Sequence, residues 1–415
     1  MKRIIAIAAV VALFSAMPAV SYATTPKAHA QGVTNPTGPI TTSGSETLKG
    51  GVQWTSYGVT LSNLQFPSET YAGCECAAAN SPALATMESE LDAIAGAWHG
   101  NTVRIQIQQD QYLDSVNGDP TQPAGYNPSY YENLTNDAIS YALSLGLVVV
   151  VNDQTETNST GPNAGIPFDF GNEDLPTQNT VAFWQDMASL YGSNDNVIFD
   201  LFNEPRQYSS LDLWANGGTG VTGGPVYTGM NQLVQDVQVT DGASNQLWIE
   251  GPGYAFQKLL SLAASGTSYF ITGNNLVYSF HHVSTVGQPQ GAAAWAADFG
   301  DIETQYNLPV VDGEWTNRTA IGTDTNQAQC WPDAPTEVPV YLSYLQSLNI
   351  GMSLWTIGPD ENDLNYDVEN RTSSYSTPIS YAGWTSGCVQ PAGAVRAGAG
   401  QDVMNWYAAQ DSFNP

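Results

Sequence analysis

The chain reads as an α/β protein of the (β/α)8, or TIM-barrel, class. Three observations lead there. Eight short apolar or β-branched runs recur along the sequence, helix-like segments separate them, and no Gly-x-Gly-x-x-Gly turn follows the first run. Short continuous apolar runs suit strands buried on both faces. Their alternation with helices suits a closed parallel barrel. An open, doubly wound sheet would instead carry a glycine-rich nucleotide turn after its first strand.

The predicted strands are residues 48–54, 102–107, 147–152, 197–203, 246–250, 276–281, 308–314 and 350–355. Between them, Leu84, Met87, Leu91 and Ile94 fall at helical spacing within 82–97, and Tyr131, Leu134, Ile139, Tyr141 and Leu145 do so within 128–145, which ends at Gly146. Segments 179–191, 226–239, 254–264, 291–306 and 335–348 fill the next gaps, and 399–410 closes the chain. The runs 155–178, 208–225 and 359–391 are rich in Gly, Asn, Ser, Thr and Pro and each follows a strand, so they are expected at the barrel's active face.

The ends and the composition bound the setting. Lys2 and Arg3 precede an apolar stretch over 4–20, and Ser21-Tyr22-Ala23 or Ala28-His29-Ala30 offers a small-residue cleavage pattern. That is a secretory signal over 1–23, with cleavage as late as residue 30, followed by a flexible leader over 24–46 and one barrel domain over 47–415. The expected location is extracellular, with no membrane partner once the signal is removed. Lys plus Arg number 10 against 39 acidic residues, a surface that repels nucleic acid and anionic membranes. A neutral polymer suits it better, and 11 Trp and 21 Tyr supply rings for sugar faces. Export permits disulfides among Cys74, Cys76, Cys330 and Cys388, with the pairing open among three arrangements. Cys-x-Cys is too tight for zinc-finger spacing, so no metal and no cofactor is expected, and the default assembly is a monomer. Asp360-Glu-Asn-Asp363 lacks the glycine of an EF-hand loop and reads as a solvated acidic loop.

Two strand ends carry the chemistry. The run Val197-Ile-Phe-Asp-Leu-Phe ends in Asn203-Glu204-Pro205, and Leu308-Pro-Val-Val-Asp-Gly ends in Glu314-Trp315. Barrel catalytic groups sit at such ends. Hydrolysis of a glycosidic bond needs two carboxyl groups flanking the anomeric carbon, one to donate a proton and one to attack when the pair stands about 5–5.5 Å apart. Arg104 and His281, on two other strands, are placed to keep one carboxylate ionised. Glu250, in Trp248-Ile-Glu-Gly, also ends a strand and rivals either glutamate. Trp54, Tyr57, Tyr254, Trp315, Trp331 and Trp384 lie at strand ends or in loops where a ring can stack on a sugar, and only two or three of them are expected to.

Asn203-Glu204-Pro205 closing the fourth strand with Glu314 closing the seventh resembles glycoside hydrolase family 5, the cellulase family, over nearly all of 48–410. The resemblance implies Glu204 as acid/base and Glu314 as nucleophile. It implies that Asn203 bonds the sugar 2-hydroxyl, that Arg104 and His281 hold the nucleophile, and that Trp355 floors the subsite of the attacked sugar. Two positions depart from the family. Gln154, or else Asp153, stands where the third strand usually ends in His, and Val283 stands where a Tyr follows the sixth-strand His, leaving either His282 or a Tyr from elsewhere as a substitute. The expected activity is that of a retaining endo-β-glycosidase on β-1,4-glucan. The alternatives are mannan, xyloglucan, a β-1,3-glucan or a short exo-cleaved glycoside by the same mechanism, or a non-catalytic glycan-binding barrel.

Overall fold

Eight parallel strands close into a barrel in this computed structural model, which describes residues 35–64, 83–117, 128–154, 175–206, 210–220, 226–253, 255, 269–282, 290–316, 334–357 and 399–411. The chain enters through a small antiparallel sheet of β1 (Ile40–Ser43), β2 (Glu46–Lys49) and β3 (Val52–Gln53). The barrel then runs through β4 (Tyr57–Leu61), β5 (Thr102–Ile107), β6 (Val148–Asp153) and β7 (Val197–Asp200). A hairpin of β8 (Gly217–Thr219) and β9 (Val226–Thr228) interrupts it. The circuit resumes with β10 (Gln246–Glu250), β11 (Leu276–Phe280), β12 (Val310–Trp315) and β13 (Gly351–Ile357), and β13 pairs with β4 to close it.

The expected class therefore stands, with one strand corrected. The first barrel strand is β4, whereas the predicted run 48–54 falls mostly in the entry sheet. Gly50 and Gly51, both at positive φ, turn the chain between β2 and β3. The sequence Tyr57-Gly-Val-Thr-Leu is masked as a strand because Gly58 and Thr60 interrupt its apolar pattern. Close packing requires that: a Cβ on Gly58 would stand 2.7 Å from Ser353 Oγ on the neighbouring strand.

Period-two alternation sorts the strand residues into two cores. Val149, Val151, Phe199, Leu247, Ile249, Tyr278, Phe280, Met352 and Leu354 face outward into the main apolar cluster with the helices. Val148, Val150, Ile198, Trp248, Val277 and Val311 face inward, where Ile40 and Trp54 from the entry segment join them. That inner cluster fills the lower half of the barrel. Further along the same inward faces the side chains turn polar: Arg104, Gln106, Asn152, Asp200 and Glu250, all buried. The apolar half makes a floor, and the polar half lies towards the strands' C-terminal ends.

The helical layer includes α1 (Ala83–Ala95), α2 (Gln109–Asn117), α3 (Pro128–Ser144) and α4 (Gln178–Tyr191). Thr177 caps α4, its hydroxyl accepting from Asn179 N–H while Thr180 returns a bond to the Thr177 N–H. After α5 (Leu211–Asn216), α6 (Met230–Gln235) runs into a wider turn over Asp236–Thr240, so the predicted helix 226–239 begins only after β9. Next come α7 (Ala292–Trp295), which continues as another wide turn over Ala296–Gly300, and α8 (Asp301–Tyr306). The last two are α9 (Ala334–Leu348) and α10 (Gly400–Asp411). Among the described residues no helix is long and apolar enough to cross a membrane. The four cysteines, the Asp360–Asp363 cluster, Tyr254, Val283, Trp331 and Trp384 lie outside the described residues.

Candidate active site

Arg104 organises the polar mouth of the barrel. Its side chain is fully buried on β5, and its guanidinium donates from Nε to Asp200 (2.8 Å), from Nη1 to Glu314 Oε2 (2.8 Å) and from Nη2 to both Asn203 Oδ1 (2.6 Å) and Glu250 Oε1 (3.1 Å). A buried guanidinium is tolerated only when its donors are met by charge. Burial opposes its proton, but Asp200, Glu314 and Glu250 together hold it more firmly than usual. Asp200 also accepts from Asn152 (3.0 Å). Burial and the Glu250 charge push the Asp200 carboxyl up to about 7, against the pull of Arg104.

Glu314, Glu204 and His281 converge above this ion cluster. One ligand atom from each lies within 4.8 Å of the other two. The two glutamates are only partly buried, with side-chain exposures of 16% for Glu314 and 13% for Glu204, so both remain open to the cleft. Glu314 Oε2 accepts from Arg104 and also from Gln106 Nε2 at 3.0 Å. Burial raises the Glu314 carboxyl, His281 and Arg104 pull it down, the Glu204 and Glu250 charges add to the rise, and the net shift is upward. Gly313 lets β12 bring Glu314 this close, since a Cβ there would stand 2.1 Å from Ser279 Oγ on β11.

Glu204 follows β7 in a left-handed conformation, φ 47°. Its backbone N–H donates to Glu250 Oε2 at 2.6 Å, and its Oε1 meets His281 Nδ1 at 3.0 Å. The other ring nitrogen of His281 meets Glu250 Oε1 at 3.1 Å. Burial disfavours an imidazolium there, but the charges of Glu250 and Glu314 and the bonds to Glu204 and Glu250 raise His281 well above its ordinary value. Glu250 is held below its ordinary range: burial acts upward, and His281 and Arg104 outweigh it.

The structure thus gathers Glu204, Glu314, Arg104, Asn203, His281 and Gln154, and it corrects several expectations. His281 bonds the Glu204 side chain rather than that of Glu314, and Gln106 takes the place expected of it. Gln154 joins the cluster through Gln106, whose Nε2 reaches Gln154 Oε1 at 3.2 Å. Asp153 shares the outward parity of Val149 and Val151. Trp355 stays out of the outer cluster that takes Met352, Leu354 and Ile357, and its indole N–H finds no partner among the described residues.

Three expected sugar contacts lie elsewhere. Trp54 packs in the barrel floor, at the end opposite the carboxylates, with its indole N–H on Asn35 Oδ1 (2.8 Å). Trp315 turns outward and stacks on Tyr341 of α9, ring centroids 5.9 Å apart. His282 also turns outward and stacks on Tyr341 at 4.7 Å, and burial drops its imidazole to about 3, leaving it neutral. Strand parity explains the last two, since neighbours of an inward residue must face the helices. Glu250, weighed as a rival catalytic group, is fully buried and serves as a support. Gln106 and Asp200 were not singled out in the sequence, although polar residues inside apolar strands mark both.

A closed β/α barrel with two reachable carboxylates this close at its C-terminal rim, one braced by arginine and one by histidine, defines a barrel-fold glycoside hydrolase. The chain belongs to the cellulase family, glycosyl hydrolase family 5, whose profile matches residues 67–361, more than half of the sequence. Endoglucanase MaCel5A of Microbulbifer sp. (strain ALW1) is 23% identical over 316 residues, which make up 74% of this chain and 49% of that protein. This chain therefore spans about half the length of that curated relative. Among solved structures, the catalytic domain of Thermobifida fusca endoglucanase Cel5A superposes with a TM-score of 0.56 at 17% identity, covering 89% of this chain and 97% of that one. The endocellulase of Pyrococcus horikoshii, solved with cellotetraose, gives 0.56 at 17% identity, covering 91% and 100%. At such identities these structures speak to the fold.

Proposed function

We propose that the protein is a secreted, retaining endo-β-1,4-glucanase in which Glu314 is the nucleophile and Glu204 the acid/base. The observation that carries this reading is the separation of the two carboxylates. One oxygen of each lies within 4.8 Å of the other, which suits the close pair of a retaining enzyme, about 5–5.5 Å apart, better than the about 6.5–9.5 Å that an inverting enzyme needs for its water. Glu314 has the guanidinium of Arg104 and the amide of Gln106 on one oxygen, which favours its anion. Glu204 has an imidazole beside it, a group that can donate or accept as the carboxyl changes state.

Glu314 attacks the anomeric carbon while Glu204 gives its proton to the departing glycosidic oxygen. A covalent glycosyl-enzyme results. Glu204, now a carboxylate, takes a proton from water, whose oxygen attacks the same carbon and releases Glu314. Asn203 suits the sugar 2-hydroxyl: its carbonyl is taken by Arg104, and its buried amide nitrogen has no partner among the described residues. Trp355 supplies the floor of that subsite. The endo-glucanase assignment draws on the family and on the endoglucanase and endocellulase names of the relatives. The extracellular setting draws on the basic, apolar and small-residue succession over 2–23.

The test is hydrolysis by the wild type, Glu204→Gln and Glu314→Gln. Each variant should lose about 10²–10⁴-fold in kcat on soluble β-1,4-glucan while its circular dichroism is unchanged. Proton NMR of the first products should show the β-anomer ahead of mutarotation. A first-formed α-anomer, or a Glu314→Gln enzyme with near-native turnover, sinks the proposal. Because position 154 carries Gln rather than His, mannan, xyloglucan and β-1,3-glucan belong in the same panel.

A further inference from the structure

Glu250 spends its whole carboxylate on the machinery around it. It is fully buried, Oε1 receives both His281 Nε2 and Arg104 Nη2, and Oε2 receives the backbone N–H of Glu204. An ionised carboxylate can only accept. Its bond to His281 therefore requires the proton on Nε2, and in the neutral imidazole this turns the Nδ1 lone pair towards Glu204 Oε1, 3.0 Å away. Protonated Glu204 can then donate to Nδ1. Where that proton passes to Nδ1, the imidazolium returns it through the same contact before Glu204 delivers it to the leaving oxygen. The bond from the Glu204 N–H also secures a φ of 47°, which a residue bearing a Cβ rarely adopts.

We propose that Glu250 is a positioning residue for proton transfer, acting as the outer member of a Glu250–His281–Glu204 chain and as the anchor of the Glu204 backbone. This rests on the reading of Glu204 as the acid/base. His281 faces Glu204 after β7, Glu250 on β10, and Glu314 and Asp312 on β12, with Asp200 on β7 and Arg104 on β5 completing the charges around it. Removing the negative charge of Glu250 makes His281 give up its proton at lower pH.

The experiment compares Glu250→Gln with the wild type on aryl β-cellobiosides of graded leaving-group ability. A dinitrophenolate departs without a proton, so its substrate should lose less than about 5-fold, whereas a poor leaving group such as unsubstituted phenol should lose on the order of 10²-fold. The alkaline limb of kcat/KM on the poor substrate should move to lower pH. Equal losses on both substrates with an unmoved limb would show a merely structural role and overturn the proposal. Glu250→Asp keeps the charge with a shorter reach. If the Gln variant does not fold, the Asp variant answers the question, since a uniform loss across leaving groups refutes the chain and a selective one supports it. Glu204→Ala with azide runs alongside. Should it fail to regain turnover of the dinitrophenyl substrate, the acid/base reading itself is wrong. If azide rescues it and Glu250→Gln still shows no leaving-group selectivity, only the Glu250 proposal falls.

Discussion

Arg104 shows how much of the site rests on one side chain. Its guanidinium makes four hydrogen bonds, to three carboxylates and one amide, all but Glu314 fully or almost fully buried. A buried ion cluster contributes little net stability but is costly to break, because the remaining charges stay behind without their partner. Arg104→Met should therefore destabilise the fold by about 3–5 kcal/mol, read by urea unfolding, and abolish turnover. Arg104→Lys should rescue neither fully, since an ammonium cannot fork to Asp200, Glu314 and Glu250 at once. A Lys variant with native kcat would refute this. The sequence marked Arg104 as a brace for the nucleophile, and in the structure Arg104 bonds Glu314. It could not show that His281 turns to Glu204, because a choice between two carboxylates a few ångströms apart depends on side-chain direction and not on strand position.

At the scale of elements, the entry sheet and β4 divide a role that the sequence assigned to one strand. Residues 48–54 carry the apolar content of a barrel strand, yet Trp54 closes the barrel from below against Val148, Trp248 and Val311. Trp54→Ala should cost about 3–5 kcal/mol by cavity formation. It should leave kcat/KM on soluble glucan within about twofold at a temperature where the variant is folded, because the ring lies on the far side of an apolar floor. A large loss of substrate affinity without loss of stability would restore Trp54 to the sugar cleft. Trp315 and His282 teach the same lesson on the outer face. Each neighbours an inward residue of the candidate site, and alternation sends each into the helix layer around Tyr341.

For the whole molecule, buried and half-buried acid groups set the response to pH. Burial raises Asp312 to about 8, Asp200 and Glu303 to about 7 and Asp298 to about 6. Each binds a proton in the folded state that the unfolded chain has released, so folding takes up protons between about pH 4 and 8 and stability falls as pH rises through that window. His281, raised by its carboxylate partners, acts in the same direction as its proton is lost. Glu250, held low, acts oppositely below its ordinary range. A formal charge of −29 at pH 7 adds self-repulsion on the alkaline side. The melting temperature at pH 5 should exceed that at pH 8 by several degrees in calorimetry, and an equal or higher value at pH 8 would contradict this. The sequence by itself determined the barrel and the strand ends that bear Glu204, Glu314, Arg104 and His281, because period and burial are written into local composition. Only the tertiary structure decided that Glu250 braces His281 and the Glu204 backbone, that Gln106 serves Glu314, and that Trp54, Trp315 and His282 serve packing. Those outcomes depend on which faces meet when eight strands close, and that is a property of the circuit rather than of any one strand.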